Sequence, residues 1–320
     1  MVPDQVTLEP RLDALVDAYP FKPYRHYRIA SRRVQAEVMR AELAKASQTP
    51  GYLVGSAGEG EACAFALIRA LAWDSGFFGV PMARLECVLR GASSGGFEIE
   101  AAIADALTRC RASGVRHVSG RFDAEDGLAL VAAERQGFRL MDTLLTYFTH
   151  PKGPAPPVVR EVGRIRPYEA RDADELLEIS RDAYAGFDGR FQRDPHLPSD
   201  KAAGFYLEWA RQCIAGTMAE RIRVAEAASG GLIGWAGARR VQPFSSVSGA
   251  TMWTGSLGAC RRDTPGAYVG LIREAASTNH AAGELSETTT PASNVATANI
   301  YEACGGHFVR ADHTLHAWLG

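Results

Sequence analysis

The spacing of apolar residues changes several times along the chain, between the period of a helix and the short runs of buried strands. In the first half, apolar residues three and four apart mark one helix face between residues 97 and 113: Ile99, Ala102, Ile103, Ala106 and Leu107. We predict a helix over this range, a strand over 115–119, a helix over 126–136 and a buried strand over 139–150.

The second half of the chain shows the same order of elements. The predicted strands cover 164–168, 222–227, 232–239, 250–259, 285–290 and 307–319. The predicted helices cover 176–183, 202–216, 269–282 and 294–303. In both halves the last helix leads through a glycine into a closing strand, at Gly137-Phe138 and at Gly305-Gly306. The simplest interpretation is a duplicated α/β unit.

A proline-rich segment separates the two halves. Residues 151–157 contain four prolines, which prevent a helix or an interior strand and leave a stiff, extended connector. The chain has 320 residues, a length that allows two domains with a core each. We therefore expect an N-terminal domain over 1–150, a linker over 151–157 and a C-terminal domain over 158–320.

The composition excludes several classes of protein. Hydrophobic residues make up 46% and charged residues 22% of the chain, as in ordinary globular proteins, and no apolar run approaches the roughly 20 residues of a membrane span. The net charge of -2 gives no broad reason to bind nucleic acid or anionic lipid. Residues 1–20 mix acidic and apolar side chains and resemble neither a secretory signal nor a transit peptide, so we expect a cytoplasmic protein.

Neither the cysteines nor the basic residues indicate a metal or nucleic-acid site. The six cysteines are scattered without a C-x-x-C pair, so no zinc site and no disulfide framework is indicated, and we expect no bound metal. The basic cluster between Lys22 and Arg33 fits a solvated surface segment. We expect a small-molecule substrate, no nucleic-acid or membrane partner, and a monomer or homodimer.

The most informative stretch runs from Asn294 to Phe308. It places Tyr301 seven residues after Asn294 and ends in a Gly-His-Phe turn. It resembles the end of the GCN5-related N-acetyltransferase (GNAT) superfamily, in which the pattern N-x-x-A-x-x-x-Y-x-x-x-G-F caps the cofactor site. Ala296 and Ala298 flank the usual alanine position.

Residues 71–79 and 205–210, with Gly216-Thr217, resemble tandem members of this superfamily. The resemblance implies an α/β (α+β) fold of two tandem GNAT-like domains, each a mostly antiparallel mixed sheet flanked by helices. The N-terminal domain is then a degenerate copy, with Ala132 or Ala133 near the place of the tyrosine. Within the superfamily the chain is most similar to enzymes that acetylate dTDP-fucosamine. That similarity implies acetyl transfer from acetyl-CoA to the amine of a nucleotide-linked amino sugar, by direct attack in a ternary complex.

The resemblance implies roles for residues of the C-terminal domain. Tyr301 is the catalytic general acid that protonates the departing coenzyme A thiolate, because a phenol with a reference pKa near 10 is protonated at neutral pH. A strand amide within 257–260 polarises the thioester oxygen. The turn before helix 269–282 binds the pyrophosphate at a helix N-terminus. The expected cofactor-binding residues are Leu257, Gly258, Ala259, Arg262, Gly266, Ala267, Tyr268 and Asn294.

Alternatives remain open, because the phosphate loop departs from the family. The family prefers [RQ]-x-x-G-x-[GA], whereas this chain has Asp263 and Tyr268 at the first and last of these positions. Another small amine or thiol as acceptor, and a catalytically silent binding module, therefore stand beside the amino-sugar enzyme. Residues 184–201, with Arg190 and Arg193, are the candidate acceptor loop. The general base is not identified, and its candidates are Glu226, Glu287, His280 and His307.

Overall fold

The computed structural model describes residues 8–152, 163–264 and 266–320. The predicted linker lies outside these ranges from residue 153 onward. The chain forms two compact units. Unit 1 comprises Met1–Leu144 with Arg310–Gly320, and unit 2 comprises Leu145–Val309.

The elements alternate as the apolar spacing predicts, and the helix predicted over 97–113 is α4. In chain order the strands are β1 (Leu53–Glu59), β2 (Ala62–Ala70), β3 (Met82–Arg90), β4 (His117–Asp123), β5 (Arg139–Thr149), β6 (Arg164–Pro167), β7 (Arg221–Glu226), β8 (Leu232–Arg240), β9 (Met252–Cys260), β10 (Leu285–Pro291) and β11 (His307–Trp318). The helices are α1 (Leu12–Ala18), α2 (Arg32–Ser47), α3 (Ala72–Phe78), α4 (Gly96–Ala112), α5 (Gly127–Arg135), α6 (Ala173–Tyr184), α7 (Ser199–Ile214), α8 (Gln242–Ser248), α9 (Gly266–Ala281) and α10 (Val295–Ala303).

The sheet of unit 1 is mixed. β1, β2 and β3 are antiparallel neighbours, β3 is parallel to β4, and β4 is antiparallel to β11. α4 lies against β1 and β2 and buries the apolar stripe that predicted it. This close approach requires Gly55, because a Cβ there would lie 2.3 Å from the amide nitrogen of Ala106.

The sheet of unit 2 is also mixed, and helices flank both of its faces. β6 to β9 are antiparallel neighbours, β9 is parallel to β10, and β5 lies beside β10. Successive residues of a strand point to opposite faces. Trp235 of β8 is therefore buried against α6, where its indole N–H donates to Ser180 Oγ at 3.0 Å. A Cβ at Gly234 would instead lie 3.3 Å from Leu271 of α9.

Two strands pass from one unit to the other. β5 begins in unit 1 and ends in unit 2, whereas β11 begins in unit 2 and continues in unit 1 as the partner of β4. The compact units therefore differ from the sequential domains 1–150 and 158–320. Pairing between β4 and β11 joins residues far apart in sequence, so local patterning carries no signal for it.

The short helices α3 and α8 support the duplication inferred from sequence. Each ends at a left-handed glycine and binds the next strand through a central serine. In α3 the hydrogen bonds are Leu71 N–H to Met82 O (2.8 Å), Met82 N–H to Ser75 Oγ (2.9 Å) and Gly79 N–H to Ser75 O (2.9 Å). In α8 they are Val241 N–H to Met252 O (2.8 Å), Met252 N–H to Ser245 Oγ (3.1 Å) and Gly249 N–H to Ser245 O (3.1 Å). The sequence pattern does not predict α8, because a proline and three serines in seven residues are typical of a loop.

Within the described ranges, no helix has both the length and the apolar character needed to cross a bilayer. All six cysteines are free thiols. The α/β fold, with mixed strand pairing in both units, agrees with the expectation from sequence.

Candidate functional site

Unit 2 contains a fork between two neighbouring strands, β9 and β10. The parallel pairing covers Met252–Thr254 and Leu285–Glu287, and the two strands then continue without pairing to each other. Gly255 lies at the branch point, where a Cβ would be 2.9 Å from Thr288 Oγ1.

A β-bulge in β9 lies just beyond the branch point. Ala238 pairs with Gly255 and Ala236 with Gly258, so two residues of β9, Ser256 and Leu257, oppose one residue of β8. A bulge interrupts the ladder and turns the backbone locally. The structure therefore places the predicted stretch 257–260 on the branch of the fork where the backbone is irregular.

Tyr301 lies on α10 with its side chain buried, and its hydroxyl faces the fork. α10 begins at the cap that Asn294 forms, since the Asn294 side-chain oxygen accepts from the Thr297 amide at 3.2 Å. The Tyr301 hydroxyl is hydrogen-bonded to the Thr288 side chain and lies 3.3 Å from the Tyr268 hydroxyl. Burial raises the pKa of Tyr301, although both hydrogen bonds act in the opposite direction. The phenol is therefore protonated at neutral pH.

Two more phenols reach the fork. The ring of Tyr268, on the first turn of α9, lies so close to β9 that a Cβ at Gly258 would be 3.0 Å from it. The Tyr184 hydroxyl, at the end of α6, donates to the Gly258 carbonyl at 2.6 Å. Burial raises the pKa of both hydroxyls well above the ordinary value. We call Tyr184, Tyr268 and Tyr301 the tyrosine cluster.

Aromatic packing fixes the outer member of this cluster. The Tyr184 ring is stacked on Tyr206 of α7, with centroids 4.7 Å apart and planes 13° apart. Phe187 packs edge-on against both rings, at 5.7 Å and 4.9 Å. Such contacts restrict the ring, so the Tyr184 hydroxyl is held at the Gly258 carbonyl.

The predicted phosphate loop turns its arginines toward α6. The Arg261 guanidinium pairs with Glu175 at 3.1 Å and with Glu178 at 3.2 Å. Arg262 donates to two carbonyl oxygens at the end of α6, those of Asp182 and Ala185, at 2.9 Å and 3.0 Å. Both guanidinium groups are thus engaged within the unit. Of the other expected ligands, Gly266 starts α9, and Ala259 and Ala267 are buried in core clusters.

A cavity of about 110 Å³ lies between α9 and the strands β7 to β10. Its wall is mainly apolar, and it also includes Tyr301, Glu287, Trp253 and Arg221. The Arg221 guanidinium lies 3.5 Å from the centre of the Trp253 ring, a cation–π contact. The structure therefore brings one of the base candidates, Glu287, into the same cavity as Tyr301.

The other base candidates lie elsewhere. Glu226 pairs with Arg166 at 2.7 Å, and this hydrogen bond lowers the pKa of the carboxyl group. A carboxylate with a lowered pKa is a weak proton acceptor. His307 is exposed at the start of β11, and His280 lies in the last turn of α9.

The predicted acceptor loop connects α6 to α7 and is held by its own side chains. Gln192 Nε2 donates to the Ala202 carbonyl at 2.6 Å. Arg193 pairs with Asp188 at 2.9 Å, and the Arg190 guanidinium lies 4.4 Å from the ring centre of the following phenylalanine. Both arginines are thus engaged by side chains of the predicted loop itself.

The equivalent fork of unit 1 is closed differently. Its strands β3 and β4 pair in parallel only over Met82–Leu85 and His117–Gly120. Arg90, at the end of β3, binds both carboxylate oxygens of Asp126 at 3.0 Å, and both side chains are buried. Arg90 also contacts the rings of two residues from the N-terminal segment, Tyr19 and Phe21. Unit 1 has Ala133 at the place of Tyr301, and both residues lie seven positions after the helix cap.

No protein-family model and no curated protein matches the sequence. Solved structures match its fold. The GCN5-related N-acetyltransferase from Sphaerobacter thermophilus is similar with a TM-score of 0.55 and 14% identity, over 96% of this chain and 93% of that chain. The tandem GNAT protein from the clavulanic acid biosynthesis pathway has a TM-score of 0.51 and 15% identity, over 99% of this chain and 96% of that chain. The chain has the tandem GNAT fold.

A third solved structure is also similar in fold. The glucosamine N-acetyltransferase region of a fungal multi-domain GH3 β-N-acetylglucosaminidase matches with a TM-score of 0.59 and 12% identity, over 98% of this chain and 37% of that chain. At these identities the likeness concerns the fold. None of the three structures is described as acting on dTDP-fucosamine, so the acceptor is a matter for proposal.

Acetyl-CoA, which the tandem GNAT fold implies, fits only part of the fork. The strand branch and Tyr301 suit the thioester end. Along β9, however, the Tyr268 ring covers Gly258, and the Tyr184 hydroxyl donates a hydrogen bond to the Gly258 carbonyl. A pantetheine arm therefore cannot lie against Gly258 while both rings are in place. In the loop, Asp263 is acidic and Pro265 has no amide N–H to offer a phosphate. The thioester end of the donor therefore fits the fork, whereas its pantetheine arm does not fit along β9 while Tyr184 and Tyr268 hold these positions.

Sequence reasoning missed Tyr184 and Thr288. Tyr184 lies at the start of the predicted acceptor loop, but nothing local indicates that its hydroxyl reaches β9. Thr288 follows Glu287 directly on β10, and the branch point at Gly255 brings it to Tyr301. A search for polar residues just after the parallel pairing would have found Thr288.

Proposed function

We propose that unit 2 transfers an acetyl group from acetyl-CoA to the amine of a small molecule. The observation that supports this most directly is the Tyr301 hydroxyl, which is buried, protonated at neutral pH and located at the fork between β9 and β10. The tandem GNAT fold supports the same donor. Release of a thiolate requires a proton donor beside the thioester sulfur, and a protonated phenol at the fork is suited to that role.

The proposed reaction is a direct attack in a ternary complex. The acceptor nitrogen attacks the thioester carbonyl carbon, the C–N bond forms and the C–S bond breaks. Tyr301 gives its proton to the sulfur, and Glu287 accepts the proton that leaves the nitrogen, since both side chains line one cavity. An amide from the bulged stretch 257–260 polarises the carbonyl oxygen, because a bulge frees backbone groups from the ladder.

For the acceptor we propose an amino sugar, nucleotide-linked in the first instance. The glucosamine N-acetyltransferase region with the same fold supports an amino-sugar amine. Arg190 and Arg193 supply charges suited to a diphosphate if the loop rearranges. The tandem GNAT protein of clavulanic acid biosynthesis keeps a different small molecule open as the alternative acceptor.

The test is turnover of acetyl-CoA, followed as free thiol released in the presence of an amino sugar, its nucleotide-linked form, an aminoglycoside, an amino acid or a small thiol. Tyr301→Phe is expected to lower kcat by about 10²- to 10⁴-fold, because it removes the proton donor and keeps the ring. Tyr147→Phe is the matched control. That ring lies 5.7 Å from Tyr301, and its hydroxyl bonds Glu302.

Two results would count against the proposal. If Tyr301→Phe turns over as fast as the unmodified protein, the hydroxyl does not donate the proton. If acetyl-CoA does not bind at millimolar concentration, unit 2 is a silent binding module, which the engaged arginines of the phosphate loop favour. Glu287→Gln addresses the base, since it should remove the acid limb of the pH profile of kcat/KM.

A further inference from the structure

The three hydroxyls of the tyrosine cluster contact different parts of the fork. In the proposed function Tyr301 faces the thioester of the donor, whereas Tyr268 and Tyr184 contact Gly258 of β9, the strand along which the donor's arm would run. A large side chain at position 268 replaces the small residue that the phosphate-loop pattern has there.

We infer that Tyr268 is a gate for the acyl donor, and that its ring closes the fork in the resting protein until the pantetheine arm displaces it. The inference rests on the proposed use of acetyl-CoA in unit 2. It adds a closed state, the residue that holds it, and a cost that the donor must overcome.

The fit between Tyr268 and Gly258 is the first support. A Cβ at Gly258 would lie 3.0 Å from Tyr268 Cε2, closer than a side chain normally approaches. Only a glycine on β9 therefore accepts the ring in this position. The closed state uses a complementary pair of residues, and one of them lies on the strand that a donor would use.

The hydrogen bond to Tyr301 is the second support. The Tyr268 hydroxyl lies 3.3 Å from the Tyr301 hydroxyl, and the burial of both raises their pKa values. In this position the Tyr268 hydroxyl takes the place of the sulfur as the partner of Tyr301. The closed gate thus satisfies a buried hydroxyl that would otherwise lose a partner.

The position of Tyr268 allows it to move. It lies on the first turn of α9, and the residue as a whole is partly exposed, although its hydroxyl is buried at the fork. Its helix is anchored by neighbours that are fully buried, Ala267 and Leu271. Rotation of one side chain therefore opens the fork without unpacking the helix. Tyr184, stacked on Tyr206, is the fixed side of the gate.

The thermodynamic consequence is a weakened apparent affinity. When only a fraction of the molecules is open, the apparent Kd is the intrinsic Kd divided by that fraction. A gate that is closed nine times in ten weakens donor binding tenfold. Removing the ring should remove this factor.

The experiment is isothermal titration of CoA into the full-length protein and into Tyr268→Ala and Tyr268→Phe. We expect Tyr268→Ala to bind CoA at least about tenfold more tightly than the unmodified protein. Tyr268→Phe keeps the ring and loses the hydroxyl, so its CoA affinity should lie between those of Tyr268→Ala and the unmodified protein. Adenosine 3′,5′-bisphosphate, which lacks the pantetheine arm, is the ligand control and should bind all three proteins alike.

A second measurement avoids dependence on variants. Hydroxyl-radical footprinting of the unmodified protein, read by mass spectrometry, should show Tyr268 becoming more reactive when acetyl-CoA is added. Equal CoA affinity in all three proteins, with no change at Tyr268, overturns the gate and leaves the donor proposal standing. Failure of every variant to bind CoA at millimolar concentration overturns both.

Discussion

The ion pair between Arg90 and Asp126 closes the fork of unit 1, and its contribution to stability can be measured directly. Arg90 and Asp126 retain 10% and 5% of their side-chain exposure, and two contacts of 3.0 Å join them. Asp126 also caps α5, since one of its oxygens accepts from the Ala129 amide at 3.2 Å. The equivalent residues of unit 2, Cys260 and Asn294, carry no such pair.

Asp126→Asn separates the two roles of this carboxylate. Asparagine caps a helix as well as aspartate does, as Asn294 does for α10, so the cap is kept and the charge is lost. Removing one partner of a buried pair leaves an uncompensated charge, which costs about 3–5 kcal/mol. We expect Asp126→Asn to lower the free energy of unfolding by about 3 kcal/mol. Asp126→Ala should lower it by about 1 kcal/mol more, because the cap is lost as well.

A double variant replaces the partner of Asp126, the Arg90 guanidinium, as well. A buried pair exchanged for uncharged residues of similar volume is often nearly neutral, so Arg90→Met combined with Asp126→Asn should recover most of the loss. Urea unfolding followed by far-UV circular dichroism measures all four corners of the double-mutant cycle. A loss below about 0.5 kcal/mol for Asp126→Asn, or a double variant no better than the sum of the single ones, would refute the reasoning.

Three further outcomes follow from the structure. Arg166 donates two hydrogen bonds to Asp172, at 2.7 Å and 2.9 Å, and they lower the pKa of the Asp172 carboxyl group. The stabilisation is complete above the ordinary carboxyl range and is lost as the pH falls through the lowered pKa. The difference in unfolding free energy between the unmodified protein and Asp172→Asn should therefore shrink below about pH 4 in acid unfolding scans. Titration calorimetry should give one CoA per chain, since unit 1 has Ala133 for the tyrosine and a bridged fork, and a second site of equal affinity would contradict this. Gly249→Ala should lower the free energy of unfolding by about 1–2 kcal/mol, because φ at this position is +72°, which an alanine adopts only with strain. The cost comes from the backbone alone, since a Cβ there meets no other atom within 4 Å. A neutral result would show that the turn relaxes.

Much of the fold can be predicted from local patterns. The apolar stripe of α4 and the Asn294 cap of α10 place those helices within a residue or two, because helix period and capping depend on neighbours in sequence. Helix α8 escapes the same rules, since its serines and proline resemble a loop. Comparison with α3, which has the same serine and the same closing glycine, would have revealed it.

The candidate site is less predictable. The spacing from Asn294 to Tyr301 carries enough signal to propose the proton donor, and Asp263 marks the loop as unusual. Nothing local predicts that Arg262 turns to α6, or that the Tyr184 hydroxyl reaches Gly258. These contacts depend on how helices and strands from distant parts of the sequence pack, so only coordinates reveal them.

β5 and β11 each belong partly to unit 1 and partly to unit 2, and this limits how the gene for such a chain can be divided in evolution. A gene cut between its two repeats would leave β4 without its neighbour, and the bare edge would invite aggregation. Neither repeat could therefore become a separate protein, even if it lost its own activity. An inactive first copy would thus persist because its last strand is encoded at the other end of the gene.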